Sequence, residues 1–223
     1  MNSALMMLVD GRFPAGGHTN SAGVEAAVRL GDVHDDATLE RYLVGRLATT
    51  GMVDAAFSAH VAALVDPTEG VLDEIDAEYA SRVLSPRLRD ASRRFGRQML
   101  RAGATVWSAP MIDTIAQSKV AVHQPVVLGA LVAASGGTAH DAALVSFHHL
   151  SAAVTSAGVR LLGLDPMSVA AVQAAAGEHV DRWADDAAWL ALLPVAELPA
   201  NGGSLTEILA EDHGRWDARL FVA

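Results

Sequence analysis

Histidine and arginine carry most of the chemical possibilities in this chain, because it has no cysteine and a single lysine, Lys119. Nine histidines invite a metal reading, with His140, His148 and His149 the closest together. Two ligands on one helix converge on an ion only at spacings of three or four residues. No pair of the nine has that spacing, and neighbours such as His148 and His149 point about 100° apart on a helix. We expect His148 on the core side beside Phe147, His149 nearer solvent, and no metal or other cofactor held by one chain; a site shared between subunits stays open. Without cysteine, a nucleophile would have to be Ser, Thr, Asp or Lys119. The G-x-S-x-G elbow, the G-x-x-x-x-G-K-[ST] phosphate loop, H-E-x-x-H and G-x-G-x-x-G are all missing from the sequence. The expectation is a protein without a catalytic residue.

The arginines are segregated. Six of fifteen fall between Arg87 and Arg101, while six acids fall between Asp66 and Glu78. Arg94, Arg97 and Arg101 share one helical face, opposite Leu88, Phe95 and Met99. Such a face is either a solvated amphipathic surface with local acid–base pairing or a docking surface for an acidic protein. A net charge of −10 argues against a nucleic-acid backbone as partner. The N-terminus lacks a basic segment before Asp10, and the longest apolar run, Val126 to Ala134, is far short of the roughly 20 residues of a membrane span. These features suggest a cytoplasmic chain without a membrane partner.

The elements that would position these residues are helical. Apolar residues recur at three to four positions along Leu39, Leu43, Leu47 and Thr50, and along Leu88, Ala91, Phe95, Met99, Ala102 and Val106. Two longer stripes run from Ala143 through Phe147, Val154 and Leu161, and from Val169 through Ala176, Trp183 and Leu190. Ser85-Pro86 and Asp165-Pro166 read as helix starts, and Thr138/Asp141 and Ser204/Glu207 as capping boxes. Nothing alternates with the period of a strand. The fold class is all-α: a single compact bundle of about eight to ten helices over residues 1–200, with a flexible C-terminal tail over 201–223.

Two segments read as candidate contact sites. In the loop Arg12–Asn20, Pro14, Gly16 and Gly17 set the backbone and Phe13 can anchor it; an interhelical turn and a partner-facing loop use the same residues. In the tail, Asn201-Gly202-Gly203 is a joint, and Leu205, Ile208 and Leu209 fall on one face of a short helix. Trp216, Leu220 and Phe221 then crowd apolar groups near the terminus, where something must cover them. The cover is either the chain's own bundle or a second protein, with Arg219 giving a directional polar contact.

Four stretches resemble one family. Asp10 to Glu25, DGRFPAGGHTNSAGVE, is similar to the opening signature of the urease accessory protein UreF family, a Pro-x-Gly-Gly loop followed by Ser-x-Gly-x-Glu; Ser21 and Glu25 hold the latter positions. Ser92 to Leu100 resembles the family's Ser-x-x-x-Gly-x-x-Leu helix, and His123 to Gly129 its His-x-Pro-x-x-x-Gly turn. His213 to Phe221 resembles its His then Arg-Leu-Phe tail. The chain departs from the pattern at Asp165-Pro166, where Gly-Gln is usual, and at Ala223, where Ser is common.

The resemblance implies an all-helical homodimer working by assembly. It would bind a second urease accessory protein and a nickel-carrying GTPase and bring them to apo-urease for metallation. It also places the cover of Trp216, Leu220 and Phe221 in the second accessory protein. Two rivals are a helical small-ligand or metal-dependent enzyme, which predicts turnover or tight metal binding by the isolated chain, and a helical adaptor unrelated to urease, which lacks these partners.

Overall fold

The computed structural model of the chain describes residues 2–118 and 121–221; Lys119 and Ala223 lie outside them. The elements are α1 (Ser3–Val9), α2 (Val24–Leu30), α3 (Asp36–Arg46), α4 (Met52–Ala63), α5 (Glu69–Arg82), α6 (Pro86–Ala104), α7 (Pro110–Gln117), α8 (Gln124–Ala134), α9 (Ala139–Leu162), α10 (Pro166–Leu190) and α11 (Ser204–His213). A π turn, Leu47–Gly51, joins α3 to α4 without leaving helical backbone. Those eleven stretches therefore make ten continuous helices among the described residues, and none of these residues is in a strand.

The anticipated caps are largely in place. Ser85 accepts the N–H of Leu88 at the head of α6, and Asp165 that of Met167 at the head of α10. Thr138 and Asp141 form a full capping box on α9. Ser204 and Glu207 do not form one: Gly203 opens α11 with no side-chain cap, and the Glu207 carboxylate turns inward to another helix.

The centre is built from α4 and α8, two strongly apolar helices, with α9 against α4 and α10 against α9. One core cluster gathers Leu5, Phe57, Ile75, Met99 and Leu131. A second, on the far face of α4, gathers Leu39, Leu43, Phe147, Val154 and Ala176. The helix α9 is long and apolar enough to cross a membrane, but 56% of its most apolar window is buried inside the bundle, where it packs as a core helix.

Two glycines of the recognised motifs set helix spacing. A Cβ on Gly129 would collide with the Ser58 carbonyl oxygen of α4, and one on Gly96 with the Val122 carbonyl oxygen ahead of α8. Only a residue without a side chain lets α8 approach α4, and α6 the loop before α8, this closely.

Candidate functional site

The tail is held on the bundle by carboxylates at two places. Glu25, in the first turn of α2, accepts the Leu220 N–H at 2.7 Å, the Phe221 N–H at 3.1 Å and a hydrogen bond from His213 Nε2 at 2.8 Å. Burial by itself raises the pKa of Glu25, but the three donors outweigh it and hold the carboxyl below its ordinary value. At the second place, Glu207 accepts the Ser85 N–H at 2.5 Å, and Glu211 accepts the Ser85 hydroxyl at 2.5 Å and the Arg87 N–H at 3.2 Å. Two acids of α11 thus sit at the N-terminus of α6, where unpaired backbone N–H groups favour negative charge. The hydroxyl of Ser85, with the Arg87 N–H, keeps Glu211 below its ordinary pKa.

This arrangement alters the expected place of the tail. Phe221 is 3% exposed, joins the second core cluster and lies 4.4 Å beneath the Arg160 guanidinium. Trp216 lies 4.0 Å from the Arg29 guanidinium and donates its indole N–H to Asp212. Phe221 packs on the chain's own bundle, beside the Leu220 and Phe221 N–H groups that Glu25 pairs. Leu205, Ile208 and Leu220 remain 62%, 66% and 53% exposed, and Arg219 faces solvent.

Between this tail, α2, the π turn and α6 lies a cavity of about 930 Å³. It brings together Ser21, Arg94, Arg97, Arg219, Leu220 and Phe221 from the predicted set. Arg94, Arg97 and Arg101 all face solvent along α6, and Arg101 lies beyond the cavity. These three form no ion pair among the described residues, whereas Arg87 meets Glu211 at 3.5 Å and Arg93 meets Asp76 at 3.3 Å.

Asp54 also lines this cavity. The Tyr79 hydroxyl donates to its Oδ1 at 2.7 Å. Burial raises the Asp54 pKa to about 6, against the opposing pull of Tyr79 and Arg46. Sequence reading missed Arg46, Thr50, Asp54 and Tyr79. The available signal was Asp54 itself, a lone acid in the otherwise apolar run from Met52 to Phe57.

The N-terminal loop lines a second cavity of about 260 Å³ with Phe13 and Gly17, beside His148 and His149. Phe13 packs against Trp107, Arg12 pairs with Asp10 at 2.6 Å, and Pro14 is exposed. Gly16 is buried with φ +81, whereas Gly17 is exposed with open space around it. The expected orientation of the histidine pair is corrected: α1 lies across α9, and the Leu8 carbonyl binds His149 Nε2 at 2.8 Å. Burial pushes the pKa of His149 down, so the neutral ring donates from Nε2. His140 faces Asp185 at 3.3 Å, apart from that pair. Among the described residues, no group of three His, Asp or Glu side chains converges as a metal site would require.

His123 is fully buried, and neither ring nitrogen has a hydrogen-bond partner among the described residues. Burial, then the charges of Arg93 and Arg89, lower its pKa to about 3. Its backbone N–H donates to Asp76 at 2.7 Å and its ring packs 4.9 Å from Tyr79, fixing the turn into α8.

The sequence pattern of the family described as UreF matches residues 33–177. The chain is 36% identical to the urease accessory protein UreF of Mycobacterium sp. (strain JLS), covering 99% of this chain and 98% of that one. It is 35% identical to the protein of that name from Mycolicibacterium vanbaalenii, with the same coverage, and 32% identical to that of Mycobacterium marinum over 98% and 97% of the two chains. These relatives are named as accessory proteins, not as enzymes. From the Pro-x-Gly-Gly loop to the Arg-Leu-Phe end that Glu25 holds, the chain belongs to the UreF family of urease accessory proteins.

Proposed function

We propose that this chain is a cytoplasmic scaffold for urease maturation, acting by docking rather than by bond chemistry. It works as a homodimer that binds a second urease accessory protein and a nickel-carrying GTPase, and it brings both to apo-urease, with nickel as cargo. The observation that carries this reading is the tail surface. Leu205, Ile208 and Leu220 stand in solvent on a segment anchored to the bundle by Glu25, which takes its backbone N–H groups, and by its own Glu207 and Glu211, which bind the start of α6. Exposed apolar side chains on a polar mount suit an interface whose core is apolar and whose rim is polar. The face of Arg94, Arg97 and Arg101 supplies a second surface for an acidic protein. Arg12, Phe13, Pro14, Gly16 and Gly17 form a third contact, and Trp216 and Arg219 border the first.

The test is urease activity and nickel content when apo-urease is coexpressed with the other accessory proteins, with and without this chain. The reading expects both to fall together when the chain is left out. Unchanged nickel content and activity would refute it.

A further inference from the structure

The helix that carries Glu25 begins on backbone that an ordinary residue avoids. Ala22 has φ +51 and Gly23 has φ +86, and Ala22 is one of two residues other than glycine with positive φ among the described residues. A Cβ in that region crowds its own backbone, so alanine stays there only when its neighbours hold it. Two side chains do so. Asn20 Oδ1 accepts the Ala22 N–H at 2.8 Å, and the Tyr42 hydroxyl, from the middle of α3, donates to the Ala22 carbonyl at 2.8 Å. The Ser21 carbonyl then accepts the Val24 N–H at 3.0 Å, which closes the elbow into α2.

Three elements meet at Gly23. A Cβ built on it would fall 2.6 Å from the Tyr42 hydroxyl and 3.3 Å from Thr206 Cγ2 in α11. Glu25 lies two residues further on, and its two oxygens serve Leu220, Phe221 and His213 together. Hydrogen bonds weaken steeply with misalignment, so the direction in which α2 leaves the elbow decides whether one carboxylate can satisfy all three donors. The body of α2 has its own support, since Val24 and Ala27 are buried in the second core cluster.

We infer that Tyr42 is a positioning residue for the tail: its hydroxyl holds the left-handed elbow at Ala22 and Gly23, and the elbow presents Glu25 to the backbone of Leu220 and Phe221. Burial pushes the Tyr42 pKa up, so the hydroxyl keeps the proton it donates. The role is exerted within this chain. Its test therefore needs no partner, and its failure leaves the assembly role standing.

The experiment measures amide hydrogen exchange at neutral pH on the full chain, on Tyr42→Phe, on Glu25→Gln and on the double variant. Tyr42→Phe removes one neutral hydrogen bond and keeps the ring, so exchange of Leu220 and Phe221 should accelerate about fivefold while α4 and α8 amides stay unchanged. On the Glu25→Gln background, where Glu207 and Glu211 still anchor the tail, the same substitution should add less than about twofold, because groups that act through one another are not additive. Asn20→Ala, which removes the other tie on Ala22, should repeat both results, and it decides the matter should Tyr42→Phe fail to fold. A fivefold acceleration on both backgrounds overturns the inference, since Tyr42 would then hold the tail independently of Glu25. No acceleration in the single variants, or an equal change in α4 and α8, overturns it as well.

Discussion

Replacing Glu25 by Gln keeps the side chain's shape and removes its charge, which makes it the sharpest probe of the docked tail. Glu25 receives three donors on two oxygens, and its side chain is 12% exposed. An amide keeps one acceptor oxygen and turns an NH2 towards groups that themselves donate. With the amide oxygen at the Oε2 position, shared by His213 and Phe221, the Leu220 bond is lost at about 1.5 kcal/mol and the other two lose their charge assistance, for a total of about 3 kcal/mol. Burial of the Phe221 ring still contributes roughly 2–3 kcal/mol, so the tail opens more often without leaving permanently. At about 1.4 kcal/mol per decade, the opening equilibrium rises roughly a hundredfold. Hydrogen exchange of Leu220, Phe221 and the α11 amides should accelerate by that factor, while α4 and α8 amides stay unchanged because the opening is sub-global. The parent chain should mimic the variant in acid. The folded pKa of Glu25 lies below its ordinary 4.5; the docking contribution is therefore full above that pH and is lost as pH falls through the folded value. An acceleration below threefold at neutral pH would refute this account of the tail.

Gly129→Ala should cost about 1–3 kcal/mol in urea unfolding, because the added methyl meets the Ser58 backbone oxygen rather than a movable side chain. Gly16→Ala should lower stability by about 1 kcal/mol, since φ is +81 there. Gly17→Ala has open space and should leave melting unchanged, so any loss of partner binding in that variant reports a loop contact. For Asp54, the unfolded carboxyl ionises near 3.8 and the folded one near 6. Stability of the parent chain should therefore fall by about 3 kcal/mol as pH rises across that window, and Asp54→Asn should lack the fall, as checked by unfolding at pH 4 and pH 7.

The fold was legible where apolar spacing and cap chemistry agreed. Leu39, Leu43 and Leu47, and again Ala143, Phe147 and Val154, repeat at helical spacing and are buried as that spacing requires. Ser85, Thr138 and Asp165 cap the helices they precede. The Ser204/Glu207 box failed because Glu207 has a better-placed donor, the Ser85 N–H, in a helix far away in sequence. Local pattern cannot show such a competitor. The order of His148 and His149 failed for a related reason, since α1 covers a face of α9 that the local stripe leaves open. Arg94 and Arg97 were visible as a charged face, whereas the cavity they border depends on α11 folding back through Glu25.

Docking is the centre of this account, and size-exclusion chromatography of the tagged chain coexpressed with the second urease accessory protein tests it most directly. The two should co-elute in one peak at micromolar concentration, with the Leu205→Ser/Ile208→Ser variant eluting apart from the partner while keeping its melting temperature. Separate elution of the unaltered chain and that protein would contradict the account.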